Sequence, residues 1–154
     1  MKAIILAAGV GKRLGKIAGK KIPKCLIEIG GKTIVERQIE MLKASDIHLE
    51  DIIIVIGDKG DVWTEHNKNK IKNLHKNVII NDKNLEKNQS YSLWLAVKDL
   101  DSSIICLDGD TIFKKKVLDL SLKSKYNSAI LTRKGEQWEK RRRVLVEDNK
   151  VIKI

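Results

Sequence analysis

The first two dozen residues constrain this chain most, because an apolar run ends there in a loop of glycines and cations. Residues 3–8 read Ala-Ile-Ile-Leu-Ala-Ala, which has the length and composition of a buried strand. Gly9 and Gly11 follow directly, and Lys12 and Arg13 come next. Glycines let successive backbone N–H groups turn toward an anion, and the cations add opposite charge. The stretch therefore predicts a phosphate-binding loop.

Two well-known phosphate-binding motifs do not fit this loop. A Rossmann fingerprint needs a glycine three residues after Gly11, and Leu14 stands there instead. A P-loop needs the pattern GxxxxGK[ST], which no register of the loop provides. The pattern that does fit is LAAGxGxRL, followed further along by Pro23-Lys24.

Residues 6–14, together with Pro23-Lys24, resemble the signature of the sugar-nucleotide-type nucleotidyltransferases. These enzymes join a nucleoside triphosphate to a phosphorylated small molecule. A finer resemblance, to the cytidylyltransferases acting on phosphocholine, inositol phosphate and related acceptors, rests on residues 88–95 and 107–110. It implies transfer of CMP from CTP to a phosphorylated acceptor, with release of pyrophosphate. A sugar-1-phosphate nucleotidyltransferase using another nucleotide stays open as an alternative.

The resemblance also implies roles for individual residues. Arg13 would neutralise the leaving pyrophosphate, and Lys24 would hold the α-phosphate or the acceptor's phosphate through the transition state. Pro23 would stiffen the backbone that presents Lys24. The implied nucleotide-binding residues are Leu6, Ala7, Ala8, Gly9, Gly11, Lys12, Asn81, Asn88, Ser90 and Asp108.

Asp108-Gly109-Asp110 follows the largely apolar residues 103–107, so both carboxylates are expected at the edge of a sheet. The tripeptide is also a common turn sequence. Placed after a strand, it predicts a Mg²⁺ site, because hard carboxylate oxygens share such an ion with phosphates. The resemblance singles out Asp110 as the metal ligand, with Asp108 assisting.

Asn88-Gln89-Ser90 has two interpretations. Asparagine and serine are good helix N-caps, and a cap alone would explain them. The functional interpretation is that amides and hydroxyls at a helix start hydrogen-bond the pyrimidine and ribose, with Asn81 sharing that task.

Apolar segments at residues 3–8, 51–56, 78–80 and 103–107 predict strands that alternate with helices. This alternation predicts a three-layer α/β/α, Rossmann-like, mostly parallel sheet of the nucleotide-diphospho-sugar transferase type. Ligands of such sheets bind beyond the carboxyl ends of the strands. Gly9, Asn81 and Asp108 all follow strand ends, so we expect them at one edge.

Local patterns predict further elements. A capping box of Thr33 and Glu36 opens a helix that runs to about Ala44. A short strand is expected at residues 25–29, with glycines after it. The last predicted elements are a weakly patterned helix at 62–69, a helix opened by Ser90 and a hairpin at 144–153.

The length of 154 residues predicts a single nucleotidyltransferase domain spanning 1–154. Members of the resembled family generally run longer, and a second metal-ligating aspartate and much of the acceptor pocket lie in their C-terminal part. The chain is therefore expected to be truncated at its C-terminus relative to the family. A catalytically incomplete nucleotide-binding or regulatory module is the alternative that follows.

The net charge of +11, from 31 basic and 20 acidic residues, fits polyanionic small substrates. Nucleic acid is not expected, because clustered basic and aromatic surface residues are lacking. Two cysteines in unlike contexts suggest free thiols in a reducing cytoplasm. No membrane association is expected, since no apolar run approaches the length of a span. Self-association as a homo-oligomer stays open.

Overall fold

The computed structural model describes residues 1–11, 21–132, 145–148 and 150–153. The described part contains four helices and eight strands. In chain order they are β1 Lys2–Leu6, β2 Glu28–Ile29, β3 Lys32–Thr33, α1 Ile34–Ala44, β4 Ile52–Gly57, α2 Glu65–Leu74, β5 Val78–Asn81, α3 Gln89–Val97, β6 Ile104–Asp108, α4 Lys115–Leu122, β7 Leu145–Glu147 and β8 Lys150–Lys153.

The central sheet has four strands in the order β5-β4-β1-β6, and every neighbouring pair is parallel. β1 is therefore flanked on both sides, with Leu6 opposite Val55 of β4 and Asp108 of β6. This confirms the predicted Rossmann-like parallel sheet with flanking helices. The loops that follow β1 and β6 consequently leave the sheet side by side.

The two central strands of the sheet, β1 and β4, are buried on both faces. On one face, Ile4 and Leu6 pack with Val55 and with Ala96 of α3. Ile5 and Ile54, which alternate with these residues along their strands, point to the other face and are fully buried as well. Burial on both faces explains why these strands are apolar without alternation.

Three helices begin at a side chain that caps them. The predicted capping box is present at α1, where the Thr33 side chain accepts from the backbone N–H of Glu36 and the Glu36 carboxylate accepts from the backbone N–H of Thr33. Thr64 caps α2 and Asn88 caps α3. These caps satisfy N–H groups that a helix leaves without partners at its start.

Three local predictions need correction. Residues 25–29 are not one strand: Lys24–Leu26 form a turn of 3₁₀ helix, and only Glu28–Ile29 pair as β2. The helix expected at 62–69 spans Glu65–Leu74, because the Thr64 cap sets its start. The third helix begins at Gln89, with Asn88 rather than Ser90 as its cap.

The described chain groups into two compact units, residues 1–119 and 120–154. The parallel sheet and the β2–β3 hairpin belong to the first unit. The second contains the antiparallel β7–β8 hairpin, which confirms the hairpin predicted at residues 144–153. That the whole chain is one truncated nucleotidyltransferase domain stays a prediction.

Gly109 allows the loops after β1 and β6 to touch. Its backbone N–H donates to the carbonyl of Leu6 at 2.9 Å. A Cβ at this position would lie 2.7 Å from the Cβ of Ala7 and 2.8 Å from the carbonyl oxygen of Leu6. Only glycine permits this approach, so it fixes the carboxylate-bearing turn against the start of the glycine loop.

We expect Gly109→Ala to lower the free energy of unfolding by about 1–3 kcal/mol, because the added methyl group must displace backbone of β1. Urea titration followed by circular dichroism measures the change. Gly9→Ala is the matched control, since no atom lies within 4 Å of a Cβ built there. Equal unfolding free energies for the two variants would show that the close contact is not needed.

The capping box makes stability depend on pH. Hydrogen bonds from the side chain and backbone of Thr33 hold the pKa of Glu36 below its ordinary value. A lowered folded-state pKa stabilises the fold above the unfolded-state pKa, about 4.3, and this contribution disappears as the pH falls through the folded-state value. We therefore expect Glu36→Gln to destabilise the protein more at pH 7 than at pH 3.

Urea titrations at the two pH values check this expectation. Thr33→Ala is the companion variant: it should cost about 1 kcal/mol and return the pKa of Glu36 toward the ordinary value in an NMR titration. A stability difference between Glu36→Gln and wild type that is the same at both pH values would contradict the electrostatic account.

Candidate functional site

The predicted site residues after β1 and β6 lie together, because these strands are neighbours. The backbone turn Asp108–Thr111 packs on Leu6 and Ala7 through Gly109. Ala7 and Ala8 are buried, so the segment offers a ligand its backbone rather than these side chains. Gly9 and Gly11 continue it, and Gly11 has a positive φ of 64°.

Lys24 and Asp110 form an ion pair, with Lys24 Nζ 2.6 Å from Asp110 Oδ2. Lys24 opens the 3₁₀ turn after Pro23, and its neighbours Cys25 and Leu26 are buried, which anchors the backbone that carries it. The Lys24 stem passes Gly11, where a Cβ would lie 3.4 Å from Lys24 Cγ. The structure thus brings together Gly11, Lys24 and Asp110, three residues that the sequence analysis placed in one site.

Asp108 has a different partner. Its carboxylate accepts a hydrogen bond from the side-chain amide of Gln89 at the first turn of α3. No partner within the protein was predicted for Gln89. Its position between Asn88 and Ser90 was the available signal, but the pairing with Asp108 depends on how α3 meets β6.

Asn88 and Ser90 are both exposed at the start of α3. The Asn88 side-chain oxygen accepts from the backbone N–H of Ser90 at 3.1 Å, which establishes the capping interpretation for Asn88. Asn81 lies inside the protein instead. It is 1% exposed, donates to Ser92 Oγ at 2.8 Å and accepts from the backbone N–H of Lys83 at 2.9 Å. Its amide is therefore committed to protein partners.

Two side chains that the sequence analysis missed hold the backbone before the glycine loop. The carbonyl of Ala8 accepts from Trp63 Nε1 at 3.2 Å and from Asn84 Nδ2 at 3.3 Å. Asn84 also accepts from the backbone N–H of Lys59 at 2.9 Å. Both donors bind one carbonyl, so the peptide that leads into Gly9 has a fixed orientation.

Both thiols have raised pKa values. Burial raises the pKa of Cys25 to about 12. Partial burial, with the nearby Asp108 charge, also raises the pKa of Cys106. Because the thiolate is the reactive form, neither cysteine is prepared for covalent chemistry beside the site.

Within the described residues, the site contains few side chains that could bind a metal ion. Across residues 1–11, 21–132, 145–148 and 150–153, no group of three or more His, Cys, Asp and Glu side chains is arranged to hold a metal ion. Asp108 and Asp110 are the acidic groups on the turn itself. Lys12 and Arg13, predicted for phosphate binding and catalysis, lie outside the described residues.

The described helices are all too short or too polar to cross a membrane.

Comparison with known proteins places these features in a family. A family model described as the MobA-like NTP transferase domain matches residues 3–140. The choline-phosphate cytidylyltransferase of Streptococcus pneumoniae is 33% identical over 138 residues, which are 90% of this chain and 57% of that relative. The choline-phosphate cytidylyltransferase of Haemophilus influenzae is 31% identical over 155 residues, covering all of this chain and 62% of that relative.

Solved structures give the same picture. The CTP:phosphocholine cytidylyltransferase of Streptococcus pneumoniae matches with a TM-score of 0.57 and 32% identity, over 75% of this chain and 49% of that one. The inositol-1-phosphate CTP transferase of T. maritima shares the fold, with a TM-score of 0.59 and 24% identity, over 81% of this chain and 49% of that one.

The chain spans 49–62% of the length of these relatives. The family match covers most of the chain, including the glycine loop, Lys24 and the Asp108–Thr111 turn. On this evidence the chain belongs to the MobA-like NTP transferase domain family.

Proposed function

We propose that this chain provides the nucleotide-binding site of a nucleotidyltransferase that transfers CMP from CTP to a phosphorylated small molecule and releases pyrophosphate. The observation that carries the proposal is the Lys24–Asp110 pair beside Gly11, at the carboxyl ends of β1 and β6. A cation, a carboxylate and glycine backbone in one place suit a triphosphate. CTP is the proposed nucleotide because two of the similar proteins are choline-phosphate cytidylyltransferases.

In this proposal the glycine loop holds the phosphates. Backbone N–H groups from Gly9 to Gly11 face the anion, and Lys12 adds positive charge. Arg13 neutralises the pyrophosphate as it leaves. The hydrogen bonds from Trp63 and Asn84 to the Ala8 carbonyl support this role, because they orient the peptide entering the loop.

Lys24 is the proposed catalytic cation. Its ammonium group holds the α-phosphate or the acceptor's phosphate and offsets the charge that develops during transfer. The ion pair with Asp110 holds the ammonium group beside the Asp108–Thr111 turn. A ligand phosphate would compete with that carboxylate for the same cation.

Mg²⁺ is the proposed cofactor. Mg²⁺ in nucleotide sites uses one or two carboxylates and completes its coordination with phosphates and water, so Asp110 with Asp108 is a fitting donor set. These residues would hold the ion. When bound, it would screen the phosphate charge that otherwise repels the attacking oxygen.

The start of α3 is the proposed contact for base and ribose. Asn88 and Ser90 are exposed there, and Gln89 links this helix to Asp108. Asn81 acts indirectly, by binding α3 through Ser92 and the segment after β5 through the backbone of Lys83.

The reaction would be a direct in-line displacement. An oxygen of the acceptor's phosphate attacks the α-phosphorus, a new P–O bond forms, and the bond to pyrophosphate breaks. The raised pKa values of both cysteines support a route without a thiol intermediate. Both thiols are free, which fits the cytoplasm as the proposed location.

We expect Lys24→Ala to lower turnover about 10²–10³-fold, the usual loss when a charge-stabilising group is removed. Its unfolding free energy should fall by no more than about 1 kcal/mol, because exposed ion pairs contribute little. Steady-state pyrophosphate release and urea titration measure the two effects.

Lys2→Ala is the matched control for this variant. Lys2 forms an ion pair with Asp51, with 2.6 Å between Nζ and Oδ1, at the amino end of β1 and thus at the opposite end of the strand from the proposed site. Its turnover should equal that of wild type. Near-normal turnover in Lys24→Ala would overturn the role assigned to Lys24.

Calorimetric titration with CTP, UTP, ATP and GTP, with and without Mg²⁺, tests the nucleotide and the metal. We expect CTP to bind most tightly and only with Mg²⁺, and Asp110→Asn to lose most of that binding. Asp99→Asn, which removes an exposed carboxylate elsewhere, should leave it unchanged. Equal affinity for all four nucleotides would overturn the base assignment.

Pyrophosphate release with phosphocholine, inositol phosphate and phosphoglutamine then tests transfer. Release with one acceptor would establish the enzyme and its substrate. CTP binding without release from any acceptor would favour the alternative of a nucleotide-binding module.

A further inference from the structure

A buried glutamine in α1 holds the turn that carries Asp110. Gln38 is 1% exposed, although its amide is polar. Its Nε2 donates to the carbonyl of Asp108 at 2.8 Å and to the carbonyl of Thr111 at 2.8 Å. Both hydrogens of one amide nitrogen are thus used on the first and last residues of the turn.

The arrangement is costly for a side chain with only a packing role. Among the described residues, Oε1 of Gln38 is a buried acceptor without a hydrogen-bond partner. An apolar side chain of similar size would avoid that unpaired oxygen, but it would leave the Asp108 and Thr111 carbonyls without these donors. The amide of Gln38 is therefore explained by its hydrogen bonds to these two carbonyls.

The same helix, α1, also binds the backbone next to the turn that carries Lys24, the partner of Asp110. The backbone N–H of Ile34, the first residue of α1, donates to the carbonyl of Ile27 at 3.1 Å, just after the 3₁₀ turn that presents Lys24. Gln38 follows one helical turn later and reaches Asp108 and Thr111. α1 is thus connected to both segments whose side chains meet as Lys24 and Asp110.

We propose that Gln38 is a positioning residue, which sets where the Asp110 carboxylate stands relative to Lys24 by clamping both ends of the Asp108–Thr111 turn. Gly109 fixes the turn against β1, and Gln38 fixes it against α1. The consequence for metal and nucleotide rests on the proposed function, whereas the clamp itself does not.

Gln38→Met tests the proposal, because methionine fills a similar volume and donates no hydrogen bond. With the full chain, we expect the Mg²⁺ concentration for half-maximal CTP binding to rise about tenfold or more, as is typical when a residue that orients a metal ligand is lost. Leu42→Met, a volume-conserving change on the buried face of the same helix, should leave it unchanged.

Amide hydrogen exchange measures the clamp independently of any ligand. In Gln38→Met we expect faster exchange at Gly109 and Thr111, whose amides donate to Leu6 and Asp108, with unchanged exchange in β1 and β4. Gln38→Asn keeps an amide but is one methylene shorter, so it should lie between wild type and Gln38→Met in both measurements. Gln38→Asn also replaces Gln38→Met in both measurements if Gln38→Met does not fold.

The outcomes separate the two proposals. Wild type without Mg²⁺-dependent CTP binding would overturn the proposed function, and the exchange rates at Gly109 and Thr111 would still decide whether Gln38 clamps the turn. Faster exchange with an unchanged Mg²⁺ requirement would overturn the positioning role and leave Gln38 a structural residue. Wild-type exchange at the turn in Gln38→Met would overturn the clamp.

Discussion

The site depends on one backbone contact, the approach of Gly109 to the end of β1. Parallel pairing of β1 with β6 makes Leu6 and Asp108 neighbours, but pairing alone leaves the following loops free to diverge. The hydrogen bond from Gly109 to Leu6, with no space for a Cβ, keeps them together. The glycine loop and the acidic turn therefore have one geometry, and both the Lys24–Asp110 pair and the Gln38 clamp require it.

Polar groups at this site divide into two kinds by burial. Gln38 and Asn81 are almost fully buried and hydrogen-bond protein backbone or side chains. Lys24 and Asp110 are partly exposed and pair with each other, so a ligand can reach them. A buried amide is costly to leave unpaired and is therefore suited to fixing backbone, whereas an exposed ion pair contributes little stability and can be exchanged for ligand contacts.

The sequence was sufficient for those features whose causes are local. The apolar runs of β1, β4, β5 and β6, the Thr33–Glu36 capping box and the β7–β8 hairpin follow from residues close together in the chain. The proximity of the β1 and β6 loops followed from parallel topology. The boundaries that differed, at residues 24–29 and at the starts of α2 and α3, are places where a short turn or cap competes with the apolar pattern.

The contacts that sequence reasoning missed join residues far apart in the chain. Gln38 lies 70 residues before Asp108, and Trp63 lies 55 residues after Ala8. Nothing in a helix pattern distinguishes a glutamine that faces solvent from one that turns inward to two carbonyls. The inward orientation depends on the Asp108–Thr111 turn lying within reach of α1, which local propensity does not encode. Gln38 fixes the Asp108–Thr111 turn, and Trp63 fixes the peptide before the glycine loop. The residues that are hardest to predict from the sequence therefore set the geometry of the motifs that are easiest to recognise.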